Sequence, residues 1–61
     1  MEKSTLPLQA ISYLQKLANG NPKLVAQSAS FFYTLRDQYD SKKISLEKYH
    51  QEIDKYILSN S

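Results

Sequence analysis

The sequence predicts an all-α fold: a small three-helix bundle, or a helical hairpin plus one helix, with dimerisation as a way to complete it. Apolar residues recur at three- and four-residue spacing in three successive stretches, the pattern of amphipathic helices. The single glycine and the two prolines lie at the ends of those stretches. No stretch alternates apolar and polar residues over the length of a strand. Because domains typically need about 50 residues, the chain is predicted to form a single helical domain, 1–61.

The first helix is predicted over about residues 7–19. Ser4 or Thr5 is expected to cap its first turn, and Ala10 and Tyr13 are expected to flank its apolar face. The face itself consists of Leu8, Ile11, Leu14, Leu17 and Ala18.

A turn is predicted at Asn19-Gly20-Asn21-Pro22. Glycine just past a helix can adopt a positive φ without the steric cost of a Cβ atom. Asn21 then serves as the N-cap of the second helix, and Pro22 occupies its first position, where a missing N–H costs no hydrogen bond. The sequence therefore predicts that two helices meet here.

The second helix is predicted over about residues 22–41. Two neighbouring apolar rows give it a broad face, so it is expected to lie between the other two helices. Small side chains near its start would let a neighbouring helix approach closely. The first row is Val25, Ala29, Phe32 and Tyr39, the second is Leu24, Phe31 and Leu35, and the small residues are Ala26, Ser28, Ala29 and Ser30.

The third helix is predicted over about residues 45–58, after a short polar connection. Ser45 is the expected N-cap, and Glu47 lies where the helix dipole favours an acid. The apolar residues that follow are spaced by three, four and three, as in a heptad seam. They are Leu46, Tyr49, Ile53 and Tyr56.

Residues 39–49 combine a helix end, a turn, an Ile-Ser cap, an acid and an aromatic residue. This segment resembles the helical hairpin of short C-terminal (SHOCT-type) domains. It departs from their pattern at Lys42 or Lys43, where the family prefers glycine, and at Leu46, where an acid is usual. The resemblance covers at most residues 35–57 and implies an oligomerisation or docking hairpin.

Composition argues against catalysis and cofactor binding. Without cysteine the chain has no disulfide, no thiol nucleophile and no cysteine-based zinc site. His50 and Asp54, four residues apart, are two potential metal ligands without a third. No glycine-rich phosphate loop and no nucleophile triad is recognisable. The expectation is a protein that is not an enzyme, with no catalytic residues, no metal, no cofactor and no small-molecule substrate.

No apolar run approaches the 20 or so residues that cross a membrane, and no signal peptide is recognisable at the start of the chain. A cytoplasmic protein that does not bind membranes is therefore expected.

The aromatic residues give the strongest functional indication. Successive helical residues are about 100° apart, so Phe31, Phe32 and Tyr33 together cover most of the circumference of the second helix. A further helix, a second copy or another protein must cover part of that surface. We expect a protein–protein interaction module, an adaptor, inhibitor or regulator that also self-associates. Its predicted anchors are Phe31, Phe32, Tyr33, Leu35, Tyr49, Ile53 and Tyr56.

Nucleic-acid binding is the alternative, since three short helices are compatible with a helix-turn-helix variant. The net charge is only +2, and acidic residues alternate with the cations, so this role is the weaker one. The candidate phosphate contacts of this nucleic-acid alternative are Lys23, Arg36, Lys42, Lys43 and Lys48.

A third possibility is a structural assembly subunit, which would differ from an interaction module only in stoichiometry.

Overall fold

In the computed structural model, which describes residues 4–60, three α-helices follow one another along the chain. They are α1 (Leu8–Gly20), α2 (Val25–Asp40) and α3 (Leu46–Ser59), with a 3₁₀ turn (Pro22–Leu24) before α2. No strand occurs among these residues, which confirms the all-α class. Every pair of helices is in contact, so the arrangement is a three-helix bundle. α1 and α3 run in the same direction, and α2 runs antiparallel to both.

The start of α1 differs from the prediction. Pro7 is its N-cap residue, with an extended backbone (φ −65°, ψ 157°), and no side chain caps the helix. Ser4 instead reaches the end of α2, where its backbone N–H and its hydroxyl donate to the two carboxylate oxygens of Asp40, at 3.1 and 2.6 Å. The expected cap from Ser4 or Thr5 is therefore wrong. Residues 4–7 form a strap across the bundle, and Leu6 of this strap is buried in the core.

The turn between α1 and α2 reverses one residue later than predicted. Gly20 is the last residue of α1 and has no positive φ, because the Asn21 N–H still bonds to the Leu17 carbonyl at 2.6 Å and keeps the last turn closed. The chain changes direction at Asn21, which has φ −148° and ψ 69°, and the Asn21 side chain makes no capping hydrogen bond. Pro22 occupies the predicted first position, although in a 3₁₀ turn rather than in the α-helix.

The connection between α2 and α3 is closed by hydrogen bonds to the end of α2. Lys42 has a φ of 63°, and the N–H groups of Lys42 and Lys43 bond to the carbonyls of Tyr39 and Gln38, at 3.0 and 2.9 Å. This is the Schellman arrangement, in which glycine is usual at the left-handed position. The predicted Ser45 cap is confirmed, because its hydroxyl accepts from the Lys48 N–H at 3.1 Å.

The core is built from all three helices and from the strap. On α1 the buried face is centred on Ala10, Tyr13 and Leu17, whereas Leu8 is 77% exposed. The prediction that placed Leu8 on the buried face is therefore wrong, since the helix is rotated to bury Tyr13. The buried apolar residues are Leu6, Ala10, Tyr13, Leu17, Phe32, Leu35, Tyr49 and Ile53.

Candidate interaction surface

Four of the seven predicted anchors lie inside the bundle. Phe32 and Ile53 have no exposed surface, and Leu35 and Tyr49 are also buried. They point between the helices because they share the helical spacing of the core residues. In the folded chain these four side chains hold the helices together and present no surface to a partner.

The other predicted anchors lie at the surface or close to it. Phe31 is 37% exposed and Tyr33 is 45% exposed, on opposite sides of the buried Phe32. This follows from the rotation of about 100° between successive helical residues. Tyr56 is half-buried. The three consecutive aromatic residues therefore divide into one core residue and two surface residues.

Phe31 covers a fixed aromatic cluster at the α2–α3 edge. Its ring stacks on Tyr56, with centroids 4.5 Å apart and an interplanar angle of 19°. Tyr56 is held from within by the edges of Phe32 and Tyr13, at 5.4 and 6.3 Å, and its hydroxyl lies 2.9 Å from that of buried Ser28. Tyr56 is nevertheless half-buried, and it lines a surface hollow together with Phe31.

Tyr33 belongs to a second surface, at the α1–α2 edge. It lines a hollow of about 340 Å³ together with Ile11, Arg36 and residues 4–6. Ile11 is 38% exposed. The guanidinium of Arg36 lies 4.7 Å from the centre of the Tyr33 ring and 3.0 Å from a carboxylate oxygen of Asp37. An exposed aliphatic and an exposed aromatic side chain from two helices therefore line one hollow, beside the Arg36–Asp37 ion pair.

Another hollow, of about 570 Å³, lies between the strap and the start of α3. Leu8 and Leu46 are exposed at its rim, and its wall includes Tyr39 and Tyr49, which stack at 5.3 Å and 14°. Sequence reasoning missed Leu8 as a surface residue. Its place beside the strap depends on Pro7 and cannot be read from helical spacing.

The predicted nucleic-acid contacts do not form one stripe. Lys23 precedes α2 and Lys42 and Lys43 follow it, so the length of a 16-residue helix, about 24 Å, separates them. Arg36 is engaged by Asp37 and Tyr33. The remaining cation, that of Lys48, pairs with Glu52 on the same helix at 3.6 Å.

His50 and Asp54 are engaged by other groups. Asp54 accepts a hydrogen bond from the Gln9 side chain at 2.8 Å, and His50 meets the Tyr49 ring edge-on at 5.8 Å. Within residues 4–60, no three His, Cys, Asp or Glu side chains are grouped as metal ligands. None of the helices in this range has the length and apolar character to cross a membrane.

No protein-family model, curated protein or solved structure matches this chain. The resemblance of residues 39–49 to SHOCT-type hairpins is therefore confined to a local sequence pattern. The exposed side chains described above are the basis on which a function is proposed.

Removing the hydroxyl group of Tyr49 and that of Tyr56, both on α3, should change the free energy of unfolding in opposite directions. The Tyr49 hydroxyl is buried with no hydrogen-bond partner among the described residues, whereas the Tyr56 hydroxyl bonds to Ser28. Tyr49→Phe is expected to leave the free energy of unfolding unchanged or to raise it by about 1 kcal/mol. Tyr56→Phe is expected to lower it by about 1–2 kcal/mol, because it strands the buried Ser28 hydroxyl. Urea unfolding of both variants checks the difference; a larger loss in Tyr49→Phe would contradict it.

The Tyr49→Phe and Tyr56→Phe variants should also differ in how their stability depends on alkaline pH. Burial raises the pKa of Tyr49 above its ordinary value of 10.0; Asp40 and Tyr39 act in the same direction and Arg36 opposes them. Above about pH 10 the unfolded chain loses this proton first, so stability is present below that pH and is lost as pH rises further. Tyr49→Phe should lose part of this alkaline dependence, and Tyr56→Phe should keep it.

Proposed function

We propose that this chain is a non-enzymatic protein-interaction module that acts as an adaptor, inhibitor or regulator by binding another protein or a second copy of itself. The observation that carries the proposal is the hollow at the α1–α2 edge. Ile11 of α1 and Tyr33 of α2 both line this hollow, and both side chains are exposed. Single exposed apolar residues are ordinary, whereas contiguous exposed apolar patches mark binding sites. Aromatic residues and arginine are also enriched at such sites.

The arrangement of the aromatic residues supports the same role. The rings of Phe32, Tyr49 and Tyr13 lie in the core, whereas the aromatic residues Phe31 and Tyr33 keep 37% and 45% of their surface exposed. Tyrosine supplies large contact area at a low cost in side-chain entropy. The surplus aromatic area on α2 is consistent with a surface that binds by shape and apolar contact.

Capture from a nuclease-treated native lysate tests the proposal. The tagged chain should retain one stoichiometric protein, or a second copy of itself, after nucleic acid is removed. The Tyr33→Glu variant should no longer bind that partner, because the substitution places a charge in the hollow that Tyr33 and Ile11 line. Leu58→Glu is the matched control: Leu58 is 75% exposed on α3, so this variant should keep the partner.

Two outcomes would contradict the proposal. Recovery of the chain as a monomer with no bound protein would contradict the proposed interaction role. Loss of every partner on nuclease treatment would favour the nucleic-acid alternative, whose exposed candidate cations are Lys23, Lys42, Lys43 and Lys48. Binding should then weaken steeply with added salt.

A further inference from the structure

Two rows of side chains lie next to each other on one side of the α1–α2 hairpin. Ile11 and Tyr33 meet at one end, where they line the same hollow, and the turn at Asn21 joins the helices at the other end. Residues at three- and four-residue spacing between these points lie on the same side of each helix. We call this surface the α1–α2 face. It consists of Ile11, Leu14 and Ala18 from α1 and of Ala26, Ser30 and Tyr33 from α2, all exposed or half-buried.

The α1–α2 face contains no charged side chain. From residue 11 to residue 35 the sequence has only two charges, Lys16 and Lys23. Lys16 lies on the other side of α1, where it lines a hollow with Ile57 of α3, and Lys23 lies in the 3₁₀ turn. α3 is very different, with five charged residues in its first ten positions: Glu47, Lys48, Glu52, Asp54 and Lys55.

The absence of charge makes a second copy a suitable partner for this face. In a twofold interface each patch packs on an identical patch, so any uncompensated charge near the axis would meet its own sign. Here none does. The charges nearest the face lie at its two ends: Arg36 and Asp37 pair with each other at the end with the hollow, and Lys23 lies in the 3₁₀ turn, three residues before Ala26, at the other end. Charge depletion is also the feature that separates interface cores from the remaining surface.

The shape of the face is self-complementary as well. Its large side chains, Ile11 and Tyr33, lie at the end with the hollow, and its small ones, Ala18 and Ala26, lie at the end with the turn. A twofold axis between these ends, near Ser30, places the large side chains of each copy on the small ones of the other. Small side chains allow helix axes to approach to about 8 Å.

We infer that two copies of this chain pair through their α1–α2 faces, with α1 and α2 of each copy forming an antiparallel four-helix core. α3 of each copy then lies on the outside, where its charges face water. The inference rests on the proposed interaction role and names the partner. Oligomerisation is a common means of stabilising domains of this size.

Cysteine cross-linking tests the position of the axis, since the chain has no cysteine of its own. Ser30→Cys should form a disulfide-linked dimer rapidly under mild oxidation, because a residue near a twofold axis lies close to its copy. Gln51→Cys, at an exposed position on α3, is the matched control and should cross-link much more slowly. Equal rates, or a faster reaction at position 51, would overturn the assignment of the face.

Light scattering of the unmodified chain tests the dimer itself. The expected mass is twice 7.1 kDa. Ser30→Lys should weaken the dimer about tenfold or more, because it places two like charges across the axis, and circular dichroism should show the same helix content. Leu58→Lys adds the same charge on α3 and should leave the mass unchanged.

The outcomes separate this inference from the proposed function. A monomer at the highest concentration reached overturns the dimer. If Tyr33→Glu nevertheless abolishes the capture of another protein, the interaction role holds and the face belongs to that protein. A monomer that captures nothing removes both. A dimer that Ser30→Lys leaves intact would show that the copies pair through another surface.

Discussion

Replacing Phe32 with alanine is expected to lower the free energy of unfolding by about 3–5 kcal/mol, the usual cost of removing a buried aromatic ring. Phe32 has no exposed surface. Its ring meets Tyr13 of α1 at 6.1 Å and Tyr56 of α3 at 5.4 Å, so it joins all three helices. A core of this size rarely contributes more than about 3–5 kcal/mol in total. The variant should therefore be largely unfolded at 25 °C, as measured by circular dichroism.

The adjacent ring provides the control. Phe31 has the same side chain one position earlier, but it is 37% exposed and its main contact is the stack on Tyr56. Phe31→Ala should lower the free energy of unfolding by about 1 kcal/mol, since an aromatic pair contributes about 0.5–1.5 kcal/mol. It should keep its helix content. Equal losses in the two variants, or a greater loss at position 31, would contradict the orientation of α2 in the bundle.

The fold could be predicted from the sequence where periodicity and capping agree. On α3 the spacing and the Ser45 cap predict one helix with one buried face, and the structure confirms the cap and the burial of Tyr49 and Ile53. Leu46, predicted on the same seam, is 51% exposed.

On α2 helical geometry predicts that the three consecutive aromatic residues cannot share one face, and the structure confirms this. It does not predict that Phe32 is the buried one, since Phe31 belongs to an apolar row as well. These signals are local, and they depend only on the geometry of a single helix.

The orientation of α1 could not be predicted, because it is decided by contacts beyond the helix. Leucine spacing alone favours burial of Leu8, but the strap brings Leu6 into the core instead and leaves Leu8 exposed. The strap depends on a hydrogen bond between Ser4 and Asp40, 36 positions apart. No pattern in a window of helical length contains that pair.

The candidate site was harder to predict for a related reason. Helical spacing shows that a face is buried, but it does not show whether the same chain or a partner covers it. Leu35 and Ile53 fitted an interface as well as they fitted a core until the packing of the three helices was known. Helical spacing predicts Ile11 on the buried face, whereas the side chain is 38% exposed and lines a surface hollow with Tyr33.

Leu6→Ala is expected to lower the free energy of unfolding by about 2 kcal/mol, at the low end of the range for a buried leucine. Leu6 is 8% exposed although it lies outside every helix. The rest of the strap is fixed by the two hydrogen bonds from Ser4 to Asp40. Without the leucine side chain the strap should detach locally, while α1, α2 and α3 stay paired. Amide hydrogen exchange should show reduced protection of the Ser4 N–H and an unchanged pattern in the middle of α2.

Leu8→Ala is the matched control, two residues further along and with the same atoms removed. Because Leu8 is 77% exposed, its removal should change stability by no more than about 0.5 kcal/mol. The comparison isolates burial, since both residues are leucines that flank Pro7. If Leu8→Ala destabilised the chain as much as Leu6→Ala, α1 would be rotated relative to the structure described here. Both leucines would then be buried, and the buried face of α1 would be the one that leucine spacing predicts.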